Sequence, residues 1–276
     1  MAGLAFPRGD LLLHTGDAVT TPHRINLDGV NVNVLTLDIE TRPAKSYHWG
    51  MWDQNIQPAQ IIEPDGVMCF AAKWYDRKGV EFASDWGDTH TGMIEAAWEA
   101  LDRADIVVTW NGDKFDLKHL NREFLLAGLG LPSSYRSMDL LKTSRKQFKF
   151  MSHKLDEVAK AVGVGRKISH TGWDLWRRCL DGDPKAHALM ARYNKNDVRL
   201  TEDVYDVFRP YITNHVPLSL WAADGQVCPS CGSAELEADG WHRTNLTMYA
   251  AYRCCSCGLV SRAPHSKQRA GLRGAQ

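Results

Sequence analysis

A strongly apolar run near residue 38 carries two acidic side chains where a buried strand ordinarily has none. Residues 34–40 read Val-Leu-Thr-Leu-Asp-Ile-Glu. Because successive strand side chains alternate between the two faces of a sheet, Asp38 and Glu40 share one face and the leucines and isoleucine cover the other. An ionised carboxylate is costly to bury without cations or strong donors. The run therefore predicts a buried strand with one metal-binding face.

The bulk composition describes an ordinary globular chain and excludes few classes of function. With 276 residues, 44% of them hydrophobic and 24% charged, the chain can bury one sizeable core and carry a small appendage. Lys plus Arg and Asp plus Glu each number 33, so net charge gives no argument for a nucleic-acid, membrane or acidic partner. The first residues fit neither a signal peptide nor a spanning helix, and we expect a cytoplasmic protein without a membrane partner.

The order of strand and helix patterns predicts a layered α/β domain. Strand-like runs at 31–40, 67–75 and 80–84 follow one another and indicate a meander. Residues 94–101 then carry an apolar stripe at helical spacing, and residues 106–110 form a fourth strand-like run. Strands that come first and then alternate with helices are typical of a sheet covered by helices.

The chain divides into four predicted segments. We expect an N-terminal arm at residues 1–30, an α/β domain at 31–215, a small cysteine-containing module at 216–262 and a basic tail at 263–276. Five of the seven cysteines lie near the C-terminal end, which favours a metal site in a reducing compartment over a disulfide framework.

Two Cys-x-x-Cys pairs determine the chemistry of this module. Cys228 with Cys231 and Cys254 with Cys257 offer four thiolates at a spacing typical of structural Zn²⁺. The 22 residues between the pairs accommodate a hairpin, and the arrangement resembles a zinc ribbon. Cys255 lies beside the second pair, and its replacement of a neighbouring ligand stays open.

Two later segments place further acids at positions typical of an active site. The last long helix, at about 185–208, carries Asp197 on its apolar stripe, with Tyr193 one turn before it on the same side. An Asn-Gly break after the fourth strand places Asp116 at the start of the next helix, where α/β folds hold active sites. Taken alone, each feature has an ordinary alternative: a solvated strand edge, a helix start favoured by the dipole, or an exposed helix face.

Together, the three motifs resemble those of the DEDD superfamily of 3′-to-5′ exonucleases over about residues 31–210. That family has Asp-x-Glu on the first strand, then an Asn-Gly-x-x-Phe-Asp turn of the kind found in family B DNA polymerases, then Tyr-x-x-x-Asp. The matching residues here are Asp38, Glu40, Asn111, Gly112, Phe115, Asp116, Tyr193 and Asp197. The histidine branch of the family would need a histidine where this chain has Arg192, so the resemblance is to the tyrosine branch.

The resemblance implies phosphodiester hydrolysis with two divalent ions, Mg²⁺ or Mn²⁺, held by carboxylate oxygens. By the same resemblance, Asp38 bridges both ions, Glu40 and Asp197 hold the ion that activates water, and Asp116 serves the second ion. Tyr193 then orients the attacking water, since a phenol is a poor base and a good donor near neutral pH.

Basic and aromatic side chains supply candidate nucleic-acid contacts. Residues 136–167 contain nine Lys or Arg and three acids, and in the family this stretch lies beside the active site. Tryptophans that closely follow the first strand would stack on unpaired bases. The candidates are Asn111, Trp49, Trp52, Lys146 and Lys149. A solvated helix face for the lysines and packing under a loop for the tryptophans are the alternatives.

These patterns together predict a 3′-to-5′ exonuclease with a ribonuclease H-like mixed sheet flanked by helices and a C-terminal zinc ribbon. We expect it to act on single-stranded or 3′-ended DNA in replication, repair or recombination, with RNA left open and a polymerase or other replication protein as a separate partner. The combination resembles small nucleases encoded by bacteriophages, which would act in the cytoplasm of a bacterial host. A structure-selective endonuclease with the same acids and a non-catalytic nucleic-acid adaptor remain alternatives.

Overall fold

The computed structural model describes residues 24–222 and 225–273, and these form two compact units. One unit is Val32–Tyr205, and the other joins the described residues before position 32 to those after position 205. Of the predicted arm at residues 1–30, residues 1–23 lie outside the described residues. The same holds for the last three residues of the predicted tail. The predicted segment boundaries stay predictions.

Seven strands and six helices lie between residues 34 and 208. The strands are β1 (Val34–Arg42), β2 (Lys45–Ser46), β3 (Ile61–Glu63), β4 (Gly66–Trp74), β5 (Glu81–Ser84), β6 (Ile106–Thr109) and β7 (Arg136–Asp139). The helices are α1 (His90–Asp102), α2 (Asp116–Leu126), α3 (Leu140–Gln147), α4 (Leu155–Ala161), α5 (Trp173–Leu180) and α6 (Pro184–Phe208). No helix among the described residues has the length and apolar character needed to cross a bilayer.

Five of these strands form a mixed sheet in the order β5-β4-β1-β6-β7. The meander of β1, β4 and β5 is antiparallel, whereas β6 and β7 run parallel to β1. Helical crossovers join the parallel strands, as this connection requires. The predicted mixed sheet flanked by helices is therefore confirmed, and β2 with β3 forms a separate short ribbon.

The central strand β1 separates two apolar layers, because its side chains alternate. Leu35, Leu37 and Ile39 point into a core that is completed by residues of α1 and α2. A second cluster joins β4 to α5 and α6 through residues such as Cys69 and Met190. The acidic face of β1 lies on the side of this second cluster, because Glu40 pairs across the ladder with Cys69.

One buried ion pair fastens α6 to the sheet. Lys73 of β4 lies opposite Thr36 of β1, and its Nζ is 2.8 Å from a carboxylate oxygen of Glu202 on α6. Both side chains are almost fully buried, with exposures of 8% and 3%. A charge pair at this depth holds α6 against the sheet only while both partners are present.

The second unit contains a small four-stranded sheet and a cysteine cluster. Its strands are β8 (Leu236–Arg243), β9 (Thr247–Cys254), β10 (Val260–Arg262) and β11 (Gln268–Arg269). All three other strands pair antiparallel with β9. The backbone N–H of Asn26 donates to the carbonyl of Cys231 at 2.7 Å, so the segment before β1 packs against the first cysteine pair.

We predict that Lys73→Met lowers the free energy of unfolding by about 3–5 kcal/mol, because it removes one partner of a buried ion pair. Urea denaturation followed by tryptophan fluorescence measures this change. Lys78→Met serves as the matched control, since Lys78 lies on an exposed turn and its replacement should change the free energy by less than about 0.5 kcal/mol. Equal stability of the two variants would contradict the assignment.

Candidate functional site

The acidic face of β1 has room for carboxylates because its neighbours across the ladder are small. Asp38 lies opposite Ala71, and Glu40 lies opposite Cys69. Both carboxyl groups are only partly covered, unlike the fully apolar residues that alternate with them. The local backbone therefore presents two acids side by side beneath α6.

Helix α6 contributes the third acid of the cluster. Carboxylate oxygens of Asp38, Glu40 and Asp197 all lie within 4.8 Å of one another. In the sequence, however, Asp197 is near the opposite end of the domain from the other two. The Asn194 amide donates a 2.7 Å hydrogen bond to Asp38 Oδ2. Tyr193 lies on the same helix and is also buried. The apolar stripe on α6 thus carries the predicted acid to the predicted pair.

Asp116 lies beside this cluster and not within it. Its Oδ1 accepts a 3.0 Å hydrogen bond from the backbone N–H of Ile39. That N–H is available because β6 pairs with β1 only as far as Thr36, short of the acidic residues. Asp116 therefore sits at the point where the two parallel strands diverge, with its charge close enough to raise the Asp38 pKa.

A sharp turn before α2 determines where Asp116 lies. Asn111 adopts φ = 71°, a left-handed conformation that asparagine tolerates better than most residues, and its N–H donates to Asp139 Oδ1 at 2.9 Å. A Cβ on Gly112 would come within 2.3 Å of the Thr109 hydroxyl oxygen. Only glycine therefore allows the chain to turn so closely against the end of β6.

Burial and mutual repulsion both disfavour the ionised form of the carboxylates in this cluster. Burial raises the pKa of Asp38 well above its ordinary range, and the charges of Asp116 and Glu40 add to this rise. Burial and the neighbouring Asp197 raise the pKa of Glu40 to about 8, and burial raises that of Asp116 to about 7. The acids therefore cannot all be ionised at neutral pH unless a cation compensates them.

One cation already lies beside the cluster, and the sequence patterns did not single it out. Lys167 Nζ is 2.6 Å from Asp197 Oδ2 and 3.0 Å from the Tyr193 hydroxyl. Burial lowers the pKa of Lys167, but the charges of Asp197 and Tyr193 outweigh this effect and raise it above its ordinary value. In the sequence Lys167 is one of nine basic residues in a single stretch, so only the tertiary contact distinguishes it.

The donor set fits a divalent cation with oxygen ligands. Asp197 Oδ1 is buried and finds no hydrogen-bond donor among the described residues, although Oδ2 is bound by Lys167. Such an unsatisfied carboxylate oxygen is costly unless a cation or donor binds it. Three converging carboxylates are the hard ligands that Mg²⁺ and Mn²⁺ prefer. The residues present therefore fit a metal ion bound between Asp38, Glu40 and Asp197.

A cavity of about 840 Å³ opens beside Tyr193. Its lining is rich in donors and cations. The lining residues are Asp156, Lys160, Arg166, Lys167, Ile168, Ser169, His170 and Tyr193. Lys160 is paired with Asp156 and Glu157. The volume and polarity of this cavity suit a polar ligand. Such a ligand would contact the same lysine and tyrosine that adjoin Asp197.

The predicted nucleic-acid contacts lie on the surface of the domain. Trp49 is 100% exposed and Trp52 is 78% exposed, in the segment between β2 and β3, so packing under a loop does not account for them. Lys146 and Lys149 are exposed near the end of α3. Asn111 uses its backbone to bind Asp139. The role of all five in binding stays a prediction.

The four cysteines form a compact cluster in the second unit. Cys228, Cys231, Cys254 and Cys257 are buried, with sulfurs within 4.8 Å of one another, whereas Cys255 is exposed and outside the group. The Sγ atoms of Cys228 and Cys257 are 3.7 Å apart, and those of Cys231 and Cys254 are 3.5 Å apart. Tetrahedral Zn–S bonds of about 2.3 Å give sulfur separations of about 3.8 Å, so the cluster fits Zn²⁺.

Comparison with known proteins connects the acidic site to a family. The RNase_H superfamily model RNase_H_2 matches residues 62–209, more than half of the chain. The chain belongs to the RNase_H superfamily. The matched range includes Asp116, Tyr193 and Asp197 and begins after β1. No curated protein matches the chain.

A solved structure shows the same fold in a much larger protein. The family B DNA polymerase from the hyperthermophilic archaeon Pyrobaculum calidifontis aligns with this RNase_H-superfamily chain at a TM-score of 0.51 and 19% sequence identity. The alignment covers 70% of this chain and 26% of the polymerase. The chain therefore shares the fold of one part of that polymerase and spans about a quarter of its length.

We predict that Asp38→Asn raises the melting temperature by about 2–6 °C in buffer without added Mg²⁺ or Mn²⁺, because it removes one of the mutually repelling acids. The amide oxygen can still accept the Asn194 hydrogen bond. Mn²⁺ should raise the melting temperature of the parent and have little effect on the variant. Differential scanning fluorimetry measures both shifts, with the exposed Asp76→Asn as control. A lower melting temperature for Asp38→Asn, with an undiminished Mn²⁺ response, would contradict this account.

We predict that Cys254→Ser loses bound metal, whereas Cys255→Ser keeps it. The two residues are neighbours, but only Cys254 belongs to the sulfur cluster. Elemental analysis of purified protein should find close to one zinc per chain in the parent and in Cys255→Ser. The account fails if Cys255→Ser is the variant that loses zinc, or if neither does.

Proposed function

We propose that this chain is a metal-dependent 3′-to-5′ exonuclease of the tyrosine branch of the DEDD superfamily, with DNA as the favoured substrate. The convergence of Asp38, Glu40 and Asp197 within 4.8 Å carries this proposal, since these are the first and last motifs of that family. Membership of the RNase_H superfamily and the fold of a family B polymerase support a nuclease-type function.

The carboxylates would hold two Mg²⁺ or Mn²⁺ ions, with Asp38, Glu40 and Asp197 at one and Asp38 and Asp116 at the other. The ions, when bound, supply an activated water and stabilise charge on the leaving oxygen. The Asn194 amide keeps the Asp38 carboxylate in one orientation. The Ile39 N–H does the same for Asp116. Both acids are thus held in position before substrate arrives.

Tyr193 would orient the attacking water as a hydrogen-bond donor. Burial raises the pKa of its phenol, and the charge of Asp197 raises it further, so the group stays protonated. Lys167 is the positioning residue for this pair, because its ammonium binds both the Tyr193 hydroxyl and the Asp197 carboxylate. It would also offset part of the negative charge of the cluster.

The substrate strand would enter along the basic side of the site. The cavity beside Tyr193 has Arg166 and Lys167 in its lining, and both offer donors to phosphate oxygens. The exposed rings of Trp49 and Trp52 suit stacking on unpaired bases. A separate polymerase or replication protein would supply the 3′ ends, and the bacteriophage origin stays part of this proposal.

The cysteine cluster would hold one structural Zn²⁺ in a ribbon-like module. Four sulfur ligands close the coordination shell, so no position is left for substrate or water. A closed zinc site of this kind would stabilise the fold of the small sheet.

The decisive experiment incubates the protein and Mn²⁺ with a 5′-labelled single strand of DNA and measures the length of the strand over time. The parent should shorten it from the 3′ end one nucleotide at a time, and a blocked 3′ terminus should stop the reaction. Asp197→Asn and Asp116→Asn should each lower the rate by about 10³-fold, since metal stabilisation is worth several kcal/mol. Asp76→Asn, on the exposed turn after β4, is the matched control.

The remaining outcomes separate the alternatives. Cleavage despite a blocked 3′ end would show a structure-selective endonuclease. Binding without Mg²⁺- or Mn²⁺-dependent degradation would show a non-catalytic adaptor. The same assay on RNA and on duplex DNA determines the preferred substrate.

A further inference from the structure

The C-terminal sheet has a basic and aromatic face that the proposed nuclease site does not use. Residues 240–276 contain six Lys or Arg and no Asp or Glu. The acids nearest to that stretch are Glu235, Glu237 and Asp239, on or just before the first half of β8. Charge is therefore segregated along the sheet, although the whole chain is neutral.

Strand register assigns the members of this face. His242 of β8 lies opposite Tyr249 of β9, and cross-strand partners share a face. Arg262 of β10 pairs with the residue two positions after Tyr249, and Arg269 of β11 pairs with the residue two positions before it. Alternation places all of them on one side of the sheet. We call His242, Tyr249, Arg262 and Arg269 the distal basic face.

Side-chain contacts agree with this register. The Arg262 guanidinium lies 4.0 Å from the Tyr249 ring centroid, and the His242 and Tyr249 rings are 6.4 Å apart. A guanidinium that lies over an aromatic ring is restricted in orientation, and its donors that do not bond to the tyrosine are available to an anion. Arg262 is therefore a pre-organised cation on an exposed strand.

β9 itself carries an arginine on the same side of the sheet, and its charge is already neutralised. Arg253 donates to Asp239 at 2.8 Å and contacts the Gly258 carbonyl. Glu237 also lies opposite Arg253 in the register. The end of the sheet near the cysteines is thus compensated, and the uncompensated charge lies on the distal basic face.

We propose that the distal basic face binds single-stranded nucleic acid, with Arg262 and Arg269 on phosphates of one strand and with bases stacked on His242 and Tyr249. Guanidinium forks match phosphate geometry, and aromatic rings on a sheet stack on bases only when those bases are unpaired. This proposal goes beyond the nuclease chemistry, because the face would bind a strand whether or not the acidic cluster cleaves it.

The test measures binding to the full chain without cleavage. Fluorescence anisotropy with a labelled 20-nucleotide single strand, over a series of salt concentrations, is performed in the Asp197→Asn background without chelator, so that the cysteine cluster is left intact. Arg262→Ala and Arg269→Ala should each weaken binding by about five- to tenfold at moderate salt. Each should also reduce the slope of log K against log salt by about 0.7, the value for one lost phosphate contact on a single strand.

Arg253→Ala is the matched control, because its charge is bound to Asp239 and should contribute less than twofold. Arg262→Lys keeps the charge and loses the stacked plane, so it should keep the salt slope and lose part of the affinity. Circular dichroism and zinc content establish that each variant is folded. Arg269→Ala, on the two-residue strand β11, provides a second reading if Arg262→Ala is unstable.

Unchanged affinity and slope in both alanine variants would overturn the proposal. An equal loss with Arg253→Ala would overturn the assignment to this face, because general attraction between charges would then account for the binding. An equal loss on a duplex of the same sequence would overturn the single-strand assignment. The nuclease proposal fails separately, if the parent chain does not degrade nucleic acid with Mn²⁺, and that result leaves these binding measurements valid.

Discussion

The desolvation and mutual repulsion of converging carboxylates are the constraint on which the α/β unit's acidic site depends. Asp38 and Glu40 on the central strand and Asp197 on α6 converge within 4.8 Å. Burial raises the pKa of all three, and neighbouring carboxylates raise those of Asp38 and Glu40 further. Such an arrangement is unfavourable for folding unless cations compensate it. Lys167 compensates one acid, and the unsatisfied Asp197 Oδ1 leaves a position for a further cation.

The surrounding structure holds this cluster together by ordinary means. Two apolar layers fix the sheet between helices, and the Lys73–Glu202 pair holds α6 above the acidic face. Gly112 lets the chain turn sharply enough for Asp116 to reach the N–H of Ile39. The packing of the rest of the domain thus maintains a site whose clustered carboxylates lower the stability of the fold. This is a common property of functional sites.

Sequence patterns predict the parts of this protein that depend on local periodicity. The alternation in β1 and the stripe on α6 identify Asp38 and Asp197, because each acid interrupts an apolar pattern on one face. Lys167 gives no such signal, since its partners lie 26 and 30 residues away and only the fold brings them together. The contact of Asn26 with Cys231 is missed for the same reason. The short elements β7, α3 and α5 are too brief and polar to show a clear period.

The central claim is that the acidic cluster binds divalent metal through Asp38, Glu40 and Asp197. Crystals soaked in Mn²⁺ test it most directly, because manganese gives an anomalous signal that carboxylates and water do not. The account predicts an anomalous peak between these three carboxylates in the parent chain and its loss in Asp197→Asn. Crystals of the parent at saturating Mn²⁺ with no peak among these acids would contradict it.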